Sequence, residues 1–354
     1  MIRLEPRAAA PAWLVLAAPL GALAAALLLA TALLAAIGIA PGPALWLMVE
    51  GALGSPFALA ETATRATPLL LTGLAAAIAF RARFWNIGGE GQLYLGAMAA
   101  VAVGAGAIEG PPLLLVPLVL AAGAVAGALG ALLPALGKVG TGADEVVTTL
   151  LLNFVIALVV QMMLEGPMKD PMGLGWPQSP PLLDEASLPR LVERQRLHAG
   201  LLVGLGLALL LQLVVSRSVW GLGVRAVGHN PRASAYAGLP VGRTTLLVAM
   251  LSGALAGLAG AGEVAGLKGY LTADLSPGYG YAGIVVAMLA GLSPLAVIPA
   301  AFLVAAVFVG ADTMGRTLGI SSYFADLVVA LSLLFVLVGG LSLRYRLRFG
   351  RAAA

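Results

Sequence analysis

The sequence predicts an all-α, polytopic membrane protein: a bundle of about ten transmembrane helices. Two observations carry that reading. The 354 residues are 60% hydrophobic and 10% charged, with a mean hydropathy of +1.01, far more apolar surface than a soluble fold of this length hides in a core. The apolar residues also come in continuous runs of roughly twenty, not in the alternating ten-residue segments of an outer-membrane barrel.

The runs fall at 12–40, 66–80, 90–108, 113–136, 146–164, 199–215, 244–262, 282–292, 295–311 and 322–340. One transmembrane domain over 1–354, with its membrane bundle at 12–340, is the simplest organisation. The first run continues past signal-peptide length and reads as a retained helix. The second and eighth are short and bounded by Gly or Pro, the form of broken or re-entrant helices. Three stripes of small residues, Gly96/Ala100/Gly104, Gly123/Gly127/Ala131 and Gly253/Gly257/Ala261, repeat at i, i+4, i+8 and predict close helix packing.

Charge gives the orientation. With alternating spans and an inside N-terminus, 13 of the 20 Lys and Arg residues lie on the cytoplasmic side and 7 outside, which puts both termini in the cytoplasm. Arg65, Lys268 and Arg316 are among the outside seven. The basic residues sit at the ends of apolar runs, so the pI of 9.6 reflects topology and lipid contact rather than nucleic acid. There is no Cys and only two His, so neither a disulfide framework nor a metal site is expected, and no cofactor.

Between the second and third runs, Arg81 to Gly96 reads RARFWNIGGEGQLYLG. A helix starting near Gly88 puts Glu90 and Gln92 in its first turns, where free N–H groups favour a carboxylate. Two readings stay open: an interfacial turn that pins two helices in register, or polar groups, Asn86, Glu90 and Gln92, that line a solute pathway.

Outside, residues 165–198 hold six prolines and Trp176, giving an irregular segment that serves as a docking surface or a plain connector. Inside, 216–243 reads SRSVWGLGVRAVGHNPRASAYAGLPVGR. Pro231 after Asn230 starts a short helix that Gly238 and Pro240 stop. Arginines on so brief a helix suggest a cytoplasmic contact element, with an anionic-lipid-facing loop as the alternative. Later, Glu263, Lys268 and Asp274 lie in a Gly-rich turn before the eighth run, where they line a cavity or sit at the membrane edge.

No energy source is encoded. Gly137-Lys138 is followed by Val139, and Leu132 stands where a phosphate loop needs its first glycine. Leu251-Ser252-Gly253 mimics an ATPase signature but continues as an apolar helix. No catalytic set appears, so the chain is not an enzyme. A stand-alone secondary transporter or channel is the competing class, but ion-driven carriers bury carboxylates near mid-membrane, and here the Asp and Glu residues cluster at ends and loops.

Three stretches, FWNIGGEGQLYLGA at 84–97, VGHNPRASAYAG at 227–238 and GYGYAGIVVAMLAGLSP at 278–294, resemble the signature regions of ABC-importer permeases of the branched-chain amino acid, ribose and simple-sugar group. Asn86 to Gln92 is most similar to the nucleoside branch, and PQSPPL with RLHAG in the outer segment agrees. The resemblance implies an ABC-importer permease fold in a bacterial cytoplasmic membrane. It implies a second homologous permease, ATP-binding cassette ATPases beneath the pair and an extracytoplasmic solute-binding lipoprotein. It also implies that Arg225 to Gly238 carries the coupling helix, so Arg225, Asn230, Pro231, Arg232, Tyr236 and Gly238 are the candidate ATPase contacts. The implied solute is a nucleoside, then ribose or another monosaccharide, then a branched-chain amino acid. The purified chain should neither bind nor hydrolyse ATP, while the complex with its ATPase does both; nucleotide binding by the isolated chain, measured by equilibrium dialysis, would contradict this.

Overall fold

Lipid offers a backbone N–H or C=O no partner, so each apolar run must satisfy its hydrogen bonds internally as a helix. A computed structural model describes residues 2–6, 11–36, 38–340, 342 and 345–349. In chain order the helices are α1 (Ala12–Ala36), α2 (Pro41–Leu53), α3 (Pro56–Arg81), α4 (Gly89–Gly104), α5 (Pro112–Thr141), α6 (Glu145–Glu165), α7 (Gly200–Arg217), α8 (Val219–His229), α9 (Pro231–Tyr236), α10 (Val241–Glu263), α11 (Tyr279–Leu289), α12 (Pro294–Leu318) and α13 (Ser322–Gly339). A 3₁₀ turn covers Asp184–Ala186, and a π-helical turn, Val264–Lys268, prolongs α10. Strands β1 (Ile2–Pro6) and β2 (Tyr345–Phe349) pair antiparallel, with Ile2 opposite Phe349 and Pro6 opposite Tyr345. Among the described residues, seven helices are long and apolar enough to cross a membrane, with shorter apolar helices beside them.

All ten apolar runs fold as helices, with three differences from the reading above. The second run is not broken: α3 is continuous over 26 residues despite Pro68, and the Thr72 hydroxyl donates to the Pro68 carbonyl within it. Arg65, counted above among the outside seven, lies within this helix. The eighth run is indeed short, 11 residues in α11. Two helices, α2 and α8, were not expected.

The chain divides into two compact units, Met1–Thr62 with Leu303–Ala354, and Ala63–Phe302. In the first, α1 packs on α13, where a Cβ on Gly339 would stand 2.6 Å from the Ala22 Cβ, and the Thr62 hydroxyl donates to the Ala52 carbonyl of α2.

The second unit is built on α4, α5 and α10, and here the three small-residue stripes meet. A Cβ on Gly96 of α4 would stand 2.0 Å from the Gly257 carbonyl oxygen of α10. One on Gly127 of α5 would stand 2.2 Å from the Gly253 oxygen, and one on Gly260 would stand 1.9 Å from the Leu93 oxygen. Backbone touches backbone, and no side chain fits between. Gly257→Ala should therefore destabilise the protein by about 1–3 kcal/mol through overpacking. Gly206→Ala in α7, with no atom within 4 Å of its Cβ position, should instead stabilise it by roughly 0.5–1 kcal/mol. Thermal unfolding of both variants in one detergent checks this, and shifts of the same sign would contradict it.

Candidate functional site

Between α3 and α4 the chain turns through residues 82–88, and Arg83 there takes a left-handed conformation with φ 56°. A turn at this depth leaves backbone groups without helical partners. Helix α6 supplies them from one face. Glu145, Thr149 and Asn153 recur at i, i+4, i+8: the Trp85 N–H donates to Glu145 Oε1 (3.3 Å), the Ile87 N–H to the Thr149 hydroxyl (3.1 Å) and the Gly91 N–H to Asn153 Oδ1 (2.9 Å). Asn153 Nδ2 donates to the Ile87 carbonyl and, at 3.2 Å, to the Tyr281 hydroxyl. Lys138 Nζ completes the turn by donating to the Arg83 carbonyl and to Glu145. None of these α6 groups was singled out from sequence, although three polar residues four apart in an apolar run are themselves a signal.

The three pathway candidates separate into two arrangements. Asn86 and Gln92 are buried and exchange amide bonds: Asn86 Nδ2 donates to Gln92 Oε1 (2.8 Å) and Gln92 Nε2 to Asn86 Oδ1 (3.0 Å). Asn86 Nδ2 also donates to Ser252 Oγ, which in turn donates to the Ala75 carbonyl. This clip joins the turn to α4, α10 and α3. Glu90 stands apart, in the first turn of α4 but aimed at another helix. Its Oε2 accepts the Gly280 N–H at 2.6 Å, one of the free donors at the N-terminus of α11. Tyr281, the residue after Gly280 in α11, is 40% exposed, whereas Gln92 is fully buried. Glu90 is itself buried, and Tyr281 is the exposed polar residue of this group.

Glu263, the last residue of α10, is buried, and neither of its carboxylate oxygens has a hydrogen-bond partner among the described residues. Beyond it the outer segment is tied to the π-helical turn: the Leu188 N–H donates to the Ala265 carbonyl and the Leu182 N–H to Gly269. His198 closes this contact. Its ring lies against Gly266, where a Cβ would come 2.4 Å from Nδ1, and Nδ1 accepts the Gly200 N–H. Nε2 therefore carries the proton, buried without a partner among the described residues.

On the other polar segment, α8 and α9 share Asn230. Its N–H donates to the Ala226 carbonyl, ending α8, and its Oδ1 accepts the Ala233 N–H, capping α9. Pro231 occupies the first helical position, and Gly238, at φ 80°, ends the element. Arg232 and Tyr236 are exposed, Tyr236 at 97%, while Ser234 is buried. Arg225 is not on this short helix: it lies within α8, near enough to Arg81 for their like charges to interact.

Residues 58–337 match the family described as branched-chain amino acid transport system / permease component. The chain is 35% identical to the glucose ABC transporter permease protein TsgB13 of Haloferax volcanii over 98% of this chain and 93% of the relative. It is 36% identical to the guanosine ABC transporter permease protein NupP of Bacillus subtilis, over 83% and 84%. Against the nucleoside ABC transporter permease protein NupB of Lactococcus lactis the identity is 30%, over 81% of each. No solved structure matches the chain.

Burial pushes the His198 imidazole down to about 4, against about 6.5 in an unfolded chain. Between those values the unfolded chain binds a proton that the folded one refuses, so this contribution to stability is complete above about pH 6.5 and is lost as pH falls toward 4. The loss should approach ~3 kcal/mol at its limit. Thermal unfolding between pH 7.5 and 4.5 should show a smaller acid effect in His198→Gln than in the native chain; identical profiles would contradict it.

Proposed function

Because the chain belongs to the branched-chain amino acid transport system / permease component family, and so is a multi-pass ABC-transporter permease and not an enzyme, we propose that it moves nucleosides across a bacterial cytoplasmic membrane. ATP hydrolysis lies in a separate subunit, and an importer permease works with an ATPase and a substrate-binding partner. The proposal is more specific: a second, homologous permease, an ATP-binding cassette ATPase seated on α9, and an extracytoplasmic solute-binding lipoprotein. In it the two units act as one transmembrane domain, and both termini face the cytoplasm. The Lys and Arg distribution supports that orientation, as does the pairing of the terminal strands, which keeps both ends on one side.

The observation that carries the nucleoside reading is that guanosine and nucleoside permeases of two species each align with more than four-fifths of the chain. The glucose permease supports a monosaccharide as the second reading. Both are neutral polar solutes rich in hydroxyl groups, so passage needs hydrogen-bonding side chains without a net charge to balance. In this reading Asn86 and Gln92 hold the turn, and Glu90, Tyr281 and Asn153 form the polar edge that the solute passes.

Proteoliposomes holding the permeases, ATPase and binding protein should accumulate labelled guanosine or uridine when supplied with ATP, and neither glucose nor leucine should compete. Glu90→Ala should lower uptake by about tenfold or more, the scale of a lost charge-assisted hydrogen bond, with the complex still assembled by size-exclusion chromatography. Uptake of glucose alone would replace the nucleoside reading by the monosaccharide one. Unchanged nucleoside uptake in the variant would remove Glu90 from the route.

A further inference from the structure

We propose that Arg81 is a positioning residue that carries movement of the α8–α9 segment into the α11–α12 turn and from there to Glu90. The proposal rests on the reading of α9 as the ATPase contact. It starts from Gly228, near the end of α8. A Cβ there would stand 1.9 Å from the Arg81 carbonyl oxygen and 3.5 Å from the Ala82 Cα. Helix α8 therefore bears directly on the last turn of α3, with no side chain between to absorb displacement. Two residues later Asn230 ends α8 and caps α9 through one main-chain and one side-chain bond, so α9 cannot tilt without turning α8.

The Arg81 side chain leaves this contact in the other direction. Its Nη2 donates to the Leu292 carbonyl at 2.6 Å. Leu292 belongs to a turn in which two successive residues, Gly291 (φ 56°) and Leu292 (φ 62°), are left-handed. A leucine there is strained, and the surroundings must hold it. The Leu292 N–H is bound to the Ala287 carbonyl of α11, so the turn and α11 move as one piece.

Helix α11 spans only about 16 Å at 1.5 Å per residue, and it is seated without slack. A Cβ on Gly283 would stand 2.4 Å from the Thr72 hydroxyl of α3, and one on Gly280 would stand 2.2 Å from the Glu90 nitrogen of α4. The Gly280 N–H holds the Glu90 carboxylate. A shift entering at Leu292 therefore leaves at Glu90.

The test uses the full reconstituted complex and reads solute taken up per ATP hydrolysed. Arg81→Gln should lower that ratio by about tenfold, with ATPase association unchanged. Arg81→Lys, which keeps a charged donor, should restore most of it. Combined with Tyr236→Ala, Arg81→Gln should lower the ratio no further than the more severe single variant, because both act on one series of contacts. A ratio in Arg81→Gln equal to that of the native complex would overturn the proposal, as would effects of the two substitutions that multiply. If Tyr236→Ala alone leaves both association and the ratio unchanged, the ATPase-contact reading of α9 fails; if it lowers them and Arg81→Gln does not, only the relay fails.

Discussion

The second unit depends on backbone contact among α4, α5 and α10. In lipid, apolar side chains gain little by leaving acyl chains for one another, so helices associate through close packing and polar bonds. Gly96, Gly127, Gly253 and Gly257 bring main chains together at distances that exclude even one methyl group. That contact has no soft component, so it behaves as a fixed body. The polar groups rest on it: Asn86, bonded to Gln92 of α4, reaches Ser252 of α10 because α4 and α10 lie so close.

Around this body the polar residues fall into two kinds. Those on α6, with Asn86, accept backbone N–H groups of a turn that lipid would leave unsatisfied, and Asn86 and Gln92 bond each other reciprocally. Glu90 and Tyr281 differ, since each belongs to a helix N-terminus: Glu90 is buried against the Gly280 N–H, and Tyr281 is exposed. Arg232 and Tyr236 differ again: they make an exposed polar and aromatic face on a six-residue helix whose start is capped by Asn230.

Much of the architecture was legible because hydropathy alone reports which segments must be helical. It failed where polarity and helicity diverge. Helix α3 begins ten residues before its apolar run, through Glu61, Thr62, Thr64 and Arg65, because those side chains are accommodated within the protein and not by lipid. Helix α8 was missed because its Gly221, Gly223 and Gly228 read as loop residues; Gly221 and Gly228 instead permit contact with α7 and α3. Arg225, a candidate ATPase contact, lies on α8, and Asn230 separates it from α9. At the site, the sequence showed which residues were polar, and it could not show that two of the three satisfy each other. The small-residue stripes were the most informative pattern, since the three that were picked out in separate runs meet in space.

In the proposed relay α9, α8 and the α11–α12 turn move together and displace the Glu90 side chain, while the packed glycines of α4, α5 and α10 stay in place. The chain has no native cysteine, so pairs introduced at Ala233, Ser293 and Gly140 of α5 can each be spin-labelled without background. Distances measured by pulsed electron paramagnetic resonance in the assembled complex, with and without ATP, test the claim directly. The 233–140 and 293–140 distances should change together while 233–293 stays constant. A change in 233–140 with 293–140 unmoved would contradict it.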